Sequence, residues 1–286
     1  MIQNITIIGG DLRTIKLAKM LAEDGNLISA YGLENTVELK NVENICLNHN
    51  IDEAIKSSEI ILGPIPLSKN GIELNSPYSK ENIKIEEFIK KIKGKKFAAG
   101  SVKPKIYDIM QENNIEVIDL MKQEKLVVLN TISTAEGALQ IAMEETEKTI
   151  FQSNVLILGF GRVGKTVANR FKSIGANVFC EARKDDDLAW IKTYGYNPID
   201  LKKLDENLDK FDIIINTIPK LILDEKQINQ IKKECLIIDL ASAPGGVNFE
   251  KAKEKGIKAI LALALPGKVA PITSAEFIKE TLYDIL

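Results

Sequence analysis

The chain is poor in the residues that most often carry side-chain chemistry. Of 286 residues one is His, three are Cys and one is Trp, and aromatics make up 6%. The single histidine, His49, lies in an Asn-His-Asn turn, so a scheme that needs a histidine acid or base has one ill-placed candidate. Cys46, Cys180 and Cys235 are odd in number and far apart, which argues against a disulfide framework or a zinc cluster and for reduced core residues. Charge of one sign is also lacking: 38 basic against 40 acidic residues leave a net charge of −2, with no basic stripe to attract nucleic acid. No apolar run approaches the ~20 residues that cross a bilayer, and the first residues enter a strand without a signal-peptide pattern, so the expected setting is cytoplasmic with no membrane. There is no metal-ligand constellation and no Gly-x-Ser-x-Gly nucleophile.

What the chain has is a glycine motif between two apolar runs. Residues 155–158 read Val-Leu-Ile-Leu, the kind of run that fills the middle of a parallel sheet, and they lead into Gly159-x-Gly161-x-x-Gly164. One glycine turns the chain, one lets backbone approach a pyrophosphate and one lets the following helix pack on the strand. The diphosphate would then rest on the first N–H groups of that helix, around Arg162 and Val163. Gly159, Gly164, Lys165 and Thr166 also satisfy the phosphate loop of NTPases. The helix stops at Gly175, however, and a second strand follows at once over 177–180, completing a βαβ unit; the guanine-reading motifs of a GTPase are absent. The dinucleotide reading is preferred. Counting from Gly175, the position that carries a ribose-binding acid in NAD sites falls on Ala182, with Arg183 and Lys184 next, which favours NADP; one residue earlier, Glu181 would favour NAD.

The remaining chain alternates β and α. Strands are expected at 5–8, 27–31, 60–62, 97–99, 115–118 and 125–128 in a first domain, and at 213–216, 236–239 and 259–264 after the glycine unit. The segment 67–82, rich in Ser, Asn and Pro, reads as a mobile lid or binding loop. Ser133 and Glu136 stand at capping-box spacing, so a hinge helix is expected over 130–149. The fold class is therefore α/β: two Rossmann-like, doubly wound domains with parallel sheets, 1–130 for substrate and 131–271 for NADP, with the last helix (272–286) crossing back to the first and the active site in the cleft.

The chain resembles the A-subunit family of dipicolinate synthase from end to end. The segments that carry the likeness are Ile7-Ile8-Gly9-Gly10-Asp11-Leu12-Arg13, Thr134-Ala135-Glu136-Gly137-Ala138, Leu158-Gly159-Phe160-Gly161-Arg162-Val163-Gly164, and Ala182-Arg183. More specific are Asp239-Leu240-Ala241-Ser242-Ala243-Pro244-Gly245-Gly246 and Leu265-Pro266-Gly267-Lys268-Val269-Ala270-Pro271. The resemblance implies a sporulation enzyme that uses a nicotinamide cofactor, NADP before NAD, to oxidise a dihydrodipicolinate-type ring to dipicolinate, together with a flavoprotein-like B-subunit. The second domain also looks like alanine, shikimate and 2-hydroxy-acid dehydrogenases, and an NADP-binding scaffold for the B-subunit is a further alternative; a homo-oligomer stays open.

A dicarboxylate ring needs cations and N–H donors. Arg13 offers a bidentate fork, unless it pairs with Asp11; Lys268 is the second candidate and, with Glu136, a conceivable base if burial shifts it. Ser101 and Lys103 follow a strand end. Ser242 with the N–H groups of Gly245 and Gly246 suggests an anion nest, and Thr134 either reaches substrate or caps the helix. Thr217 and Pro219 stand where dehydrogenases of this fold line the cofactor.

Overall fold

In the computed structural model, which describes residues 3–58 and 60–285, the chain divides into two compact units. Unit 1 runs up to Leu129 and resumes at Ala270; unit 2 is Asn130–Val269. Unit 1 contains β1 (Asn4–Ile8), α1 (Leu12–Glu23), β2 (Leu27–Tyr31), β3 (Ile45–Leu47), α2 (Ile51–Ala54), β4 (Ile60–Leu62), α3 (Ile85–Lys91), β5 (Lys96–Ala99), α4 (Pro104–Glu112) and β6 (Glu116–Asp119). Helix α5 (Glu124–Glu145) carries the chain past the boundary at Leu129. Unit 2 continues with β7 (Asn154–Leu158), α6 (Arg162–Ser173), β8 (Asn177–Ala182), α7 (Asp185–Thr193), β9 (Asn197–Asp200), β10 (Ile213–Asn216), α8 (Glu225–Ile228), β11 (Leu236–Asp239), α9 (Phe249–Lys255), β12 (Lys258–Leu261) and α10 (Leu265–Val269). The last helix, α11 (Pro271–Ile285), belongs to unit 1.

Each unit is built on a parallel sheet of six strands, in the orders β3-β2-β1-β4-β5-β6 and β12-β11-β10-β7-β8-β9. Renumbered within its unit, the second order repeats the first, so both units are doubly wound with the strand order reversing at one point. That point lies between β1 and β4 in unit 1 and between β7 and β10 in unit 2. Ligands of such sheets bind outside the carboxyl ends of the strands at this reversal. In unit 2 these ends are Leu158 and Asn216, and the segments after them are the glycine turn and Thr217.

The strands read as unbroken apolar runs because helices cover both faces. In unit 1, Ile15, Leu17 and Leu21 of α1 and Ala275, Ile278 and Leu282 of α11 form one core layer, and Phe88, Ile106 and Met110 pack with Phe97 in another. The rings of Phe88 and Phe97 meet edge to face at 5.2 Å. In unit 2, Val167, Ala168 and Phe171 of α6 and Ala135 and Ala142 of α5 bury one face, and Phe211, Ile228 and Ala252 the other.

Several expectations are corrected by packing. Residues 125–128 are not a strand but lie in α5, which starts at Glu124 because Leu126 enters the unit 1 core as part of a helical face. Local β-branched propensity at Val127 and Val128 yields to that burial. Ser133 and Glu136 are consequently mid-helix and form no capping box, and the Thr134 hydroxyl donates to the Asn130 carbonyl at 2.9 Å. Among the described residues α5 is long and apolar enough to cross a membrane by length and composition, contrary to the reading that no run approaches that length. Its Leu126, Ala135, Ala138 and Ala142 are buried inside the two units, which accounts for the apolarity. The strand expected over 259–264 is β12, which ends at Leu261, and the helix α10 begins at Leu265.

The segment 67–82 is pinned rather than free. Leu67 N–H donates to Gly100 O at 2.6 Å, Asn75 N–H to Leu67 O at 2.9 Å and Leu74 N–H to Ile83 O at 2.8 Å, and Leu67 and Leu74 are buried. Cys46 also departs from the expected core placement, being exposed, while Cys180 and Cys235 are buried. Burial raises both of those thiols, Cys235 to about 12, so neither forms a nucleophilic thiolate near neutrality. The native protein should therefore release one equivalent of chromophore with a disulfide thiol reagent in the fast phase, lost in Cys46→Ser, and all three only after denaturation; fast reaction of the Cys46→Ser variant would contradict this burial.

Candidate functional site

The three glycines of unit 2 differ in what holds them. A Cβ on Gly164 would lie 2.0 Å from the Gly159 carbonyl oxygen, so only glycine lets α6 approach the end of β7. Gly159 has φ +89, and a Cβ there would meet the Thr217 hydroxyl and Ile218 at 2.8 Å. A Cβ on Gly161 would meet nothing within 4 Å. Gly161 also caps α6 without any side-chain hydrogen bond, which leaves the start of the helix open to an anion. Packing thus fixes the outer glycines, and the middle one faces open space.

Two neighbours hold this turn. Glu181, 2% exposed and paired in register with Leu158, accepts the Gly159 N–H at 3.1 Å. Thr217 donates both its N–H (3.0 Å) and its hydroxyl (2.8 Å) to the Leu158 carbonyl. The Glu181 carboxyl is raised above the ordinary range by burial first; the Gly159 N–H opposes this, Asp200 adds to it and Arg183 opposes it. Of the two registers left open by the sequence, Glu181 is the acid beside the turn, and Ala182 is the buried last residue of β8. Arg183 and Lys184 follow, both exposed. Arg162 is exposed and Val163 half-buried at the start of α6, and Pro219 is exposed just beyond the half-buried Thr217.

The phosphate-loop alternative does not fit these contacts. Lys165 Nζ lies over the Phe160 ring at 5.4 Å, and the Thr166 hydroxyl is engaged with Arg162 O at 3.2 Å and the Thr131 hydroxyl at 2.7 Å.

Unit 1 has the same strand order but a closed corner. Gly10 N–H donates to Asn75 O at 2.9 Å, and a Cβ on Gly9 would sit 2.9 Å from Ser76 Cβ, so the 67–82 segment fills the space beside the turn. Asp11 caps α1 and holds Arg13, whose Nη2 lies 2.7 Å from Asp11 Oδ2 and also donates to the Ile65 carbonyl. At 5% exposure Arg13 is an internal brace, and the expectation of a free carboxylate fork is corrected.

The other candidates fall as follows. Ser101 is exposed in the left-handed region (φ +57), held there by buried Asp119, which accepts the N–H groups of Ser101 (3.0 Å) and Val102 (3.1 Å). Lys103 is exposed at the start of α4. Ser242 is exposed, but the anion nest is absent: Gly245 N–H donates to Ser242 O at 3.0 Å and Gly246 N–H to Asp239 Oδ2 at 2.9 Å. Lys268 is exposed on α10, and Glu136 is exposed and 3.6 Å from Arg170, so the burial that a base role required is missing at both. Sequence reasoning overlooked Asp119, Asp239 and Asn216; the signal available was a polar residue closing an apolar strand.

Glu181 generates a pH prediction. Its raised folded-state pKa means that the fold favours the neutral acid, so its contribution to stability falls as pH rises from the unfolded value through the folded one. Glu181→Gln keeps an acceptor for Gly159 and removes that penalty. The melting temperature of the variant relative to wild type should rise as pH is raised above the ordinary carboxylate range; a pH-independent difference would show that Glu181 titrates as in the unfolded chain.

Comparison with known proteins agrees with this geometry. The family model of the N-terminal domain of the dipicolinate synthase A-subunit matches residues 4–121, and that of the NAD-binding domain of D-isomer specific 2-hydroxyacid dehydrogenases matches 118–248. The dipicolinate synthase A-subunit of Bacillus subtilis is 32% identical over 99% of this chain and 95% of its own length. The crystal structure of the dipicolinate synthase A-subunit from Bacillus halodurans superposes with TM-score 0.89 at 32% identity, over 99% of this chain and 97% of that one. A shikimate dehydrogenase (NADP(+)) of Methanococcus maripaludis is 28% identical over 50% of this chain and 59% of its own length. With an open dinucleotide turn in unit 2 and a likeness that runs the whole length of both units, the chain belongs to the dipicolinate synthase A-subunit family.

Proposed function

We propose that this protein is the dehydrogenase component of a dipicolinate synthase, oxidising dihydrodipicolinate or its hydrated precursor to dipicolinate with NADP, in concert with a B-subunit, in the cytoplasm of a sporulating mother cell. The observation that carries the proposal is the glycine turn: within a full-length family likeness it keeps an open helix start at Gly161, with an exposed basic pair just after β8. The nicotinamide supplies a two-electron acceptor when bound. Oxidation removes a hydride and a proton from the dihydro ring and leaves it aromatic, the hydrated precursor also losing one water, so the chain's main task is positioning.

The residues divide that task. The N–H groups at the start of α6, with Arg162 and Val163, hold the diphosphate, and Arg183 and Lys184 take the 2′-phosphate. Glu181 is already engaged on Gly159 and buried, which supports the basic pair over a ribose-binding acid as the group that meets the adenosine ribose. Thr217 and Pro219 border the same turn. On unit 2, Lys268 and Thr134 are the proposed anchors for a substrate carboxylate; Lys268 serves as a charge, not as a base. The NADP(+) in the name of the Methanococcus shikimate dehydrogenase also supports NADP.

The test is NADPH formation, followed by absorbance, from freshly generated dihydrodipicolinate precursor, with this chain alone and with the B-subunit added. Formation by the chain alone supports the proposal; formation with shikimate but not with the precursor would overturn it in favour of a shikimate-type enzyme. Turnover by the B-subunit with this chain's cofactor site disabled would reduce the chain to a scaffold. Replacing Arg183 by Ser should weaken NADP by roughly 10- to 100-fold, the worth of one or two charge-assisted bonds, with little change for NAD; equal losses for both would defeat the 2′-phosphate assignment.

A further inference from the structure

Two side chains at the ends of β10 and β11, Asn216 and Asp239, face each other in register and are both 0% exposed. Asp239 Oδ1 accepts Asn216 Nδ2 at 2.8 Å and the Ala241 N–H at 3.0 Å; Oδ2 accepts the Gly246 N–H at 2.9 Å. No cation lies within ion-pair range of this carboxylate among the described residues, so N–H donors alone balance it. Asn216 in turn donates to Ile218 O (3.0 Å) and accepts the Ile218 N–H (3.0 Å), which closes the chain into a loop at 216–218.

Gly246 is the node where the two strand-end segments join. Its carbonyl accepts the N–H groups of Ile222 (3.0 Å) and Leu223 (2.9 Å). A Cβ at this position would lie 2.2 Å from Asn216 Nδ2 and 2.7 Å from Ile218 O, so no other residue fits without displacing the pair. The far end of the network is Thr217, bonded twice to Leu158 O and packed against Gly159.

We infer that Asp239 and Asn216 are positioning residues for the dinucleotide turn: they clamp the segments 217–223 and 241–246 into one unit and, through Thr217, fix the turn at Gly159. Neither side chain is accessible to a ligand. The motif Asp-Leu-Ala-Ser-Ala-Pro-Gly-Gly is on this account a latch, its N–H groups turned inward to a carboxylate rather than outward to an anion. The inference rests on the reading that Gly159–Gly164 binds a nicotinamide dinucleotide.

The test is fluorescence titration of NADPH and NADH on wild type, Asp239→Asn and a core control, Ile228→Ala, with backbone hydrogen exchange on each. Asparagine at 239 keeps the shape but turns an N–H2 group toward N–H donors. Exchange at Ala241 and Gly246 should accelerate about tenfold or more, and the dinucleotide Kd should rise about tenfold or more. The control should lose stability with its Kd unchanged, which separates positioning from general loosening. If Asp239→Asn does not fold, Asn216→Ser, which leaves the backbone N–H bonds of Asp239 in place, should weaken binding in the same direction. Wild-type binding with an unchanged Kd in the folded Asp239 variant, or in the Asn216 variant where that is the one that folds, would overturn the inference and leave the proposed function standing. Failure of wild type to bind either dinucleotide would overturn both.

Discussion

Gly164 has no room for even a methyl group against the carbonyl of Gly159, and the binding face of unit 2 depends on that approach. It brings the first turn of α6 against the end of β7, beside the reversal of strand order. A side chain at Gly164 would have to lift the helix, and with it Val167, Ala168 and Phe171, out of the core. Fold stability and ligand geometry therefore hang on the same contact.

The two units show that topology alone does not make a binding site. Both sheets have the same strand order and both present glycines after the first strand. In unit 1 the corner is filled from within by Asn75 and Ser76, and its one buried arginine is matched to Asp11. In unit 2 the residue that caps the first helix is Gly161, with open space where a side chain would stand, and the acid nearest the turn accepts a backbone N–H. The difference lies in the loops that the sheet carries.

Buried carboxylates recur as the device that fixes those loops. Asp119 closes β6 and takes N–H groups from the segment after β5; Asp239 closes β11 and does the same for the segment beyond it; Glu181 near the end of β8 holds the glycine turn. A carboxylate with several N–H donors tolerates burial that an unpartnered one would not, and each additional donor restricts the loop further. The left-handed backbone of Ser101 persists under such a clamp.

The sequence by itself determined the architecture. Apolar strand runs at 155–158, 213–216 and 236–239, glycines at 159, 161 and 164, and alternation of β and α along the chain specify two doubly wound sheets because period, turn chemistry and burial agree there. It did not determine the extent of α5, where Leu126 is helical only because the unit 1 core receives it, nor the state of 67–82, whose polar composition hides anchors at Leu67 and Leu74. Among the candidate side chains, the chain order named Arg13 and the Gly245-Gly246 pair as anion binders, while tertiary contacts gave their donors to Asp11, Ile65, Ser242 and Asp239. Most of these partners stand close by in the chain and Ile65 far from Arg13, but in every case only the folded backbone turns donor and acceptor within hydrogen-bond range.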